Sequence, residues 1–164
     1  MRKFIFVLFA GLALLSLSLQ SCSKDGDDDD QSMNEEEYIA PKNITGLTFT
    51  YGDNRVPFVF GTNSFTPKYN QTSGWTRVVI GTPSYTYERI SVNKAKLHTN
   101  LKSKSSQVSG SNWFTLELTY DYVLTFTSEY DGVLSGIRKT STVSSNLPIS
   151  NETDQVNNEY FTLQ

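Results

Sequence analysis

The sequence predicts an all-β domain, and three observations carry that expectation. Beyond residue 37 only two alanines remain, Ala40 and Ala95, with no methionine, while Thr, Ser, Val, Tyr and Phe dominate. Residues that favour helices are therefore scarce, and β-branched and aromatic residues that suit a pleated surface are abundant. Apolar side chains recur at a period of two, and no window sustains a period of 3.6. The longest instance is Phe114, Leu116, Leu118, Tyr120, Tyr122, Leu124 and Phe126, an unbroken alternation over 13 residues.

The first element is a half-buried strand in which Leu47, Phe49 and Tyr51 alternate with Thr48 and Thr50. Asp53-Asn54 reads as a two-residue turn that sets Tyr51 opposite Val56, Phe49 opposite Phe58 and Leu47 opposite Phe60. The apolar faces then coincide, which supports the register. Pro57 removes a ladder donor, so this second strand is expected at an edge or bulge. Residues 62–73 read as turns, with Asn63, Pro67 and Asn70 breaking any pattern.

Trp75 to Ile80 forms the next strand, ended by Gly81-Thr82-Pro83. Tyr85 and Tyr87 share one parity and Ile90 and Val92 the other, so a bulge is expected near Glu88-Arg89. Lys94, Lys96, Lys102 and Lys104 surround Leu97 and Leu101, the pattern of an edge strand guarded by lysines. The long alternation from Phe114 exceeds an ordinary strand length and suits a strand that curls around a closing sheet. Asp131-Gly132 reads as a type I′ hairpin turn, placing Phe126 opposite Ile137 and Tyr130 opposite Val133. Residues 144–158 read as loop and 160–163 as a final strand. Eight or nine strands with short connections describe an antiparallel meander closed into a small barrel, or a two-sheet β-sandwich.

The N-terminus carries a different kind of information. Arg2 and Lys3 precede an apolar run from Phe4 to Leu15, and Leu19-Gln20-Ser21-Cys22 follows with the chain's single cysteine. The segment to Leu19 is too short for a membrane span of about 20 residues. It resembles the lipobox of bacterial lipoproteins, which implies removal of residues 1–21 and acylation of Cys22. Ser23, Lys24, Asp25, Asp27, Asp28, Asp29 and Asp30 follow directly, and Glu35, Glu36 and Glu37 extend the acidic run. This stretch resembles the export signal of Bacteroidota surface lipoproteins, which implies display at the outer membrane on the cell surface. Read physically, residues 22–37 are a self-repelling tether that holds a domain on the order of 20 Å from the bilayer. The chain thus divides into a signal peptide (1–21), a lipidated acidic tether (22–37) and one domain (38–164).

Within the domain, Ile44-Thr45-Gly46-Leu47-Thr48-Phe49 and the segment from Leu124 to Gly132 resemble the opening strand and hairpin of lipocalin-like lipoprotein domains, with Thr48 where those domains usually carry Trp. The resemblance implies a lipocalin-like small barrel.

The residues also exclude chemistry. The domain carries 11 basic and nine acidic side chains, a near-neutral balance that argues against nucleic acid as partner. His98 is the only histidine and Cys22 the only cysteine, which the lipobox resemblance implies is acylated, so the chain cannot supply a His/Cys zinc site. Asp25, Asp27, Asp29 and Glu36 match four positions of a calcium loop, but Asp30 stands where the sharp turn needs Gly. No phosphate loop, dinucleotide fingerprint or nucleophile elbow occurs. Glu117 and Asp121 share a strand face about 13 Å apart, too far for a glycosidase pair. No catalytic residue, metal or cofactor is therefore expected. The functional lead is aromatic: Trp75, Tyr85, Tyr87, Trp113, Tyr120 and Tyr122 combine an apolar body with a polar handle, as ligand-lining residues do, although aromatics also fill β cores. Two functions follow. One is a membrane-anchored binding module with a small apolar or amphipathic ligand in the barrel. The other is a structural subunit that docks on an outer-membrane protein or on glycan.

Overall fold

The computed structural model describes residues 38–52, 56–69 and 74–164. The signal peptide, Cys22, the acidic tether and the Asp53-Asn54 turn lie outside the described residues. The domain is all-β. Nine strands appear among the described residues: β1 (Thr48–Tyr51), β2 (Phe58–Phe60), β3 (Phe65–Pro67), β4 (Trp75–Val79), β5 (Ser84–Ser91), β6 (Lys94–Gln107), β7 (Trp113–Ser128), β8 (Asp131–Ser145) and β9 (Glu152–Leu163). They form one antiparallel sheet in the order β3-β2-β1-β9-β8-β7-β6-β4, with β5 also on β6. The sheet curls into a half-barrel, compatible with a small lipocalin-like barrel, and the strands do not divide into the two sheets of a sandwich.

Curling brings the ends of the sheet together. β4 and β5 run in file along β6, pairing with 103–107 and 94–100 respectively, and Gly81 (φ 72°) breaks them apart. The break turns β5 toward β3. Ser64 bridges Ser84 there, and the Tyr85 hydroxyl donates to the Gly61 carbonyl at 2.7 Å. The lead-in segment closes this end of the half-barrel. Ile39 and Ala40 N–H groups both donate to the Val92 carbonyl, and Ala40 and Ile44 are buried.

An aromatic core fills the closed half. Phe49, Tyr51, Phe58, Phe60, Phe65, Tyr120, Tyr122, Phe126 and Phe161 are all buried. Phe49 stacks with Tyr51 and Phe58, and most other rings meet at tilted or edge-on angles, with centroids 4.7 Å apart for Phe58–Phe65 and 5.1 Å for Phe126–Phe161. Such geometry is favourable for rings whose faces are negative and edges positive.

β8 must bend to enclose this core, and two glycines let it. Gly132 pairs with Phe126 and Gly136 with Tyr122. A Cβ at either position would fall on backbone of β7, at the Thr125 carbonyl for Gly132 and the Asp121 carbonyl for Gly136. Each missing side chain faces an aromatic that covers the gap. Glycine kinks and bulges are how a sheet acquires strong curvature.

Several sequence expectations hold. Phe49 does pair with Phe58, and the Phe60 N–H donates to Leu47, so the β1–β2 register is as expected. The expected bulge in β5 falls between Arg89 and Ser91, one or two residues late. It does not carry Ile90 and Val92 inward, and both stay exposed.

Others are corrected. β2 is an interior strand, because Pro57 only precedes it; the edge is β3, formed within 62–73, and its own proline is Pro67. The β7–β8 turn is Glu129-Tyr130, not Asp131-Gly132, and Ser128 pairs with Asp131. The Asp131 carboxylate accepts from the Thr127 and Ser128 hydroxyls at 2.5 and 2.8 Å, which pins the tighter turn. Phe126 consequently faces Gly132, and Ile137 pairs with Asp121 on the other face. β6 is interior, and its lysines line the solvent face of a paired strand. The expected loop over 144–158 is short, since β9 begins at Glu152. Only Val156 in its first half is apolar, so pairing to β8 outweighs local pattern, with Asn158 (φ 52°) at a register shift between Leu134 and Gly136.

Gly136→Ala is expected to destabilise the domain by about 1–3 kcal/mol, the usual cost of an overpacked interior. Gly132→Val should do so for the same steric reason. Urea unfolding of both variants measures this, and unchanged midpoints would remove the kink argument.

Candidate functional site

The inner face has two zones because the strands differ in length. β6, β7, β8 and β9 run 14, 16, 15 and 12 residues, whereas β1, β2 and β3 have four, three and three. The short strands cover only the half near the lead-in segment. Along β7, Phe126, Leu124, Tyr122 and Tyr120 are buried, while Leu118, Leu116 and Phe114 on the same face are half-buried. The long strands therefore present a concave surface beyond the aromatic core.

That open surface is mixed in character. On β6 the inward series Ala95, Leu97, Thr99, Leu101 turns into Ser103 and Ser105, both buried. Ser103 pairs with Leu116 and Ser105 with Phe114. β4 adds Trp75, Arg77 and Val79. The Trp75 ring lies 5.3 Å from Phe114, and the Arg77 Nε donates to the Ser105 hydroxyl at 3.1 Å. The Arg77 guanidinium also stands over the Tyr69 ring, 5.0 Å from its centroid. Burial pushes the Tyr69 hydroxyl above its ordinary pKa, against the opposing pull of Ser103 and Arg77. Across the surface, the Arg138 Nε donates to Asp154 at 3.0 Å and a second guanidinium nitrogen joins the same carboxylate.

The six aromatics singled out in the sequence do not converge. Trp75 is on the open concave surface. Tyr120 forms its floor, and Tyr122 lies one pair deeper in the core. Tyr85 and Tyr87 pack along β5, their hydroxyls held by the Gly61 and Pro41 carbonyls at 2.7 and 2.9 Å. Trp113 is on the outer face, under the Lys104 ammonium at 5.0 Å. Sequence reasoning missed Arg77, Ser103, Ser105, Leu116, Leu118 and Arg138. Parity held a clue, because hydroxyls replace leucines on one face of β6 halfway along the strand.

The outer face carries a shallow depression of about 310 Å³ lined by Thr86, Glu88, Lys96, His98, Asp121 and Val123, with Leu97 and Tyr122 beneath. His98 Nδ1 and Asp121 Oδ1 are 2.6 Å apart, and both side chains are about half exposed. Glu117 accepts from Asn100 at 2.9 Å, so the two carboxylates of this face serve different neighbours. No group of three or more metal-ligating side chains gathers among the described residues. Comparison of the chain with family models, curated proteins and solved structures gives no match.

Burial gives the core tyrosines an alkaline signature. It pushes the Tyr122 hydroxyl up to about 12 and the Tyr120 hydroxyl further, outweighing the other influences on each. Below pH 10 both folded and unfolded chains keep these protons. Between pH 10 and 12 the unfolded chain releases the Tyr122 proton and the folded one retains it. Stability then falls by about 1.4 kcal/mol per pH unit for this group. Tyr122→Phe is expected to reduce the slope of urea midpoint against pH in that window; an unaltered slope would contradict the assignment.

Proposed function

We propose that this protein is a lipid-anchored binding module at the outer membrane, displayed on the cell surface, which holds a small apolar or amphipathic ligand on the concave face of its half-barrel. One observation carries the reading: Trp75, Phe114, Leu116 and Leu118 are half-buried on the inner face where the long strands outrun β1–β3. Apolar side chains on a rigid concave sheet, with a few fixed polar groups beside them, are the usual make-up of a small-molecule site. The role is binding without chemistry. His98, the only histidine, pairs with Asp121 on the opposite face of the sheet from these groups. Anchoring rests on the order of charge, apolar run, small residue and Cys22, and surface display on the acidic residues that follow. Each buried methylene of an acyl chain adds about 0.8 kcal/mol, so several chains hold a domain firmly. The lead-in segment meets the domain at Val92, at the far end of β6 from Trp75, so the concave site lies away from the point of attachment.

Two outcomes are expected. In a Trp113→Phe background, the emission of Trp75 should shift when dodecanol or laurate is added below its micellar concentration. Leu116→Gln should weaken that response about tenfold, and emission indifferent to both amphiphiles would reject the concave site. Mass spectrometry should find a mature protein that begins at an acylated Cys22. Cys22→Ala should release a soluble folded domain, and an unmodified N-terminus would reject the anchor.

A further inference from the structure

The concave surface contains a cation whose geometry is already set. Arg77 lies on β4, abreast of Ser105 on β6. Its Nε is committed to the Ser105 hydroxyl, and its plane stands over the Tyr69 ring. Ser105 is buried and Tyr69 packs against the core, so both supports are fixed. Among the described residues no carboxylate forms an ion pair with Arg77. The other guanidinium of this surface, Arg138, is held by Asp154 on β9, at the far side of the groove. Apart from Ser105 and the Tyr69 side chain, no described residue holds the Arg77 guanidinium, whose terminal edge is left for another partner.

Resting on the binding reading above, we propose that the ligand is an amphipathic carboxylate, whose head is gripped end-on by the terminal nitrogens of Arg77 and whose apolar tail lies over Phe114, Leu116 and Leu118. A planar fork matches two carboxylate oxygens with two parallel N–H···O bonds, and a guanidinium held in place loses little freedom on binding. Phe114 stands opposite Ser105 on the neighbouring strand, so head and tail contacts are adjacent. The distribution of charge fits the same polarity. Asp154 is neutralised by Arg138, and Glu152 stands beyond it on β9, across the groove from Arg77.

The test compares laurate, dodecanol and dodecyl phosphate, all below their micellar concentrations, by Trp75 emission in the Trp113→Phe protein and in its Arg77→Gln and Arg77→Lys variants. Laurate should bind wild-type groove residues at least tenfold more tightly than dodecanol, the scale of a hydrogen-bonded charge pair. Arg77→Gln should erase that preference, and a near-UV circular dichroism spectrum matching that of the parent shows that the variant is folded. Arg77→Lys should restore it only in part, because an ammonium lacks the fork. Equal binding of laurate and dodecanol, unmoved by Arg77→Gln, would overturn the carboxylate head and leave the apolar site standing. A tenfold preference for dodecyl phosphate over laurate would also overturn it. Failure of all three amphiphiles to bind would overturn the concave site itself.

Discussion

The architecture depends on a close approach between β7 and β8. At Gly132 and Gly136 the two strands come so near that a single added carbon would meet backbone, and the space is covered instead by Phe126 and Tyr122. This contact bends the longest hairpin of the domain. Without the bend, β8 and β9 would continue in the plane of β7, and β1 and β2 could not swing round to cover the aromatic face. Phe49 and Phe161 reach the same core only because β9 carries β1 around with it, their rings 5.7 Å apart. An antiparallel sheet has an intrinsic twist, but closure over so few strands needs such local devices.

Bending alone would leave a trough open along its whole length. The lead-in segment and the three short strands cover one half, and there the side chains are aromatic and buried. Among the described residues the other half has no such cover, and its side chains change accordingly. Leucines give way to serines on β6, and arginines appear at positions 77 and 138. Burying Arg77 or Arg138 in the closed half would be very costly, since a charge removed from water must be paired and hydrogen-bonded. At the open end, both guanidinium groups stay within reach of solvent while their stems pack on the sheet. The division of the inner face into a dry and a mixed zone thus follows from strand length, and the proposed binding role follows from that division.

Much of this was legible in the sequence. Period-two alternation located β1 and β7, a row of lysines marked β6 as a strand, and matched parity across a short turn brought Phe49 opposite Phe58. The misses share a cause. Asp131-Gly132 has the composition of a hairpin turn, yet the glycine is used for close packing inside a strand and the aspartate for capping the turn before it. Residues 152–158 lack an apolar alternation because their inner positions lie in the mixed zone, where Asp154 serves Arg138. Lysines on β6 resemble an edge guard, since a solvent-facing row on an interior strand of a curled sheet has the same composition. The aromatic set is dispersed in the structure: Tyr120 and Tyr122 are buried, the Tyr85 and Tyr87 hydroxyls are held by backbone carbonyls, and Trp113 faces outward.

By itself, the sequence determined the all-β class, the long alternation of β7 and a composition with one histidine and one cysteine, because these depend on composition and on which side of a strand each residue falls. Only the tertiary structure decided which strands are edges, where the sheet bends and which inward side chains remain half-buried. Those properties depend on what stands across from a residue at a sequence separation of 28 or more, as Arg77 and Tyr120 illustrate. Ser105 meets Arg77 through the pairing of β4 with β6, and Phe58 and Tyr51 are brought to Tyr120 by the curl of the whole sheet; no local pattern encodes either encounter.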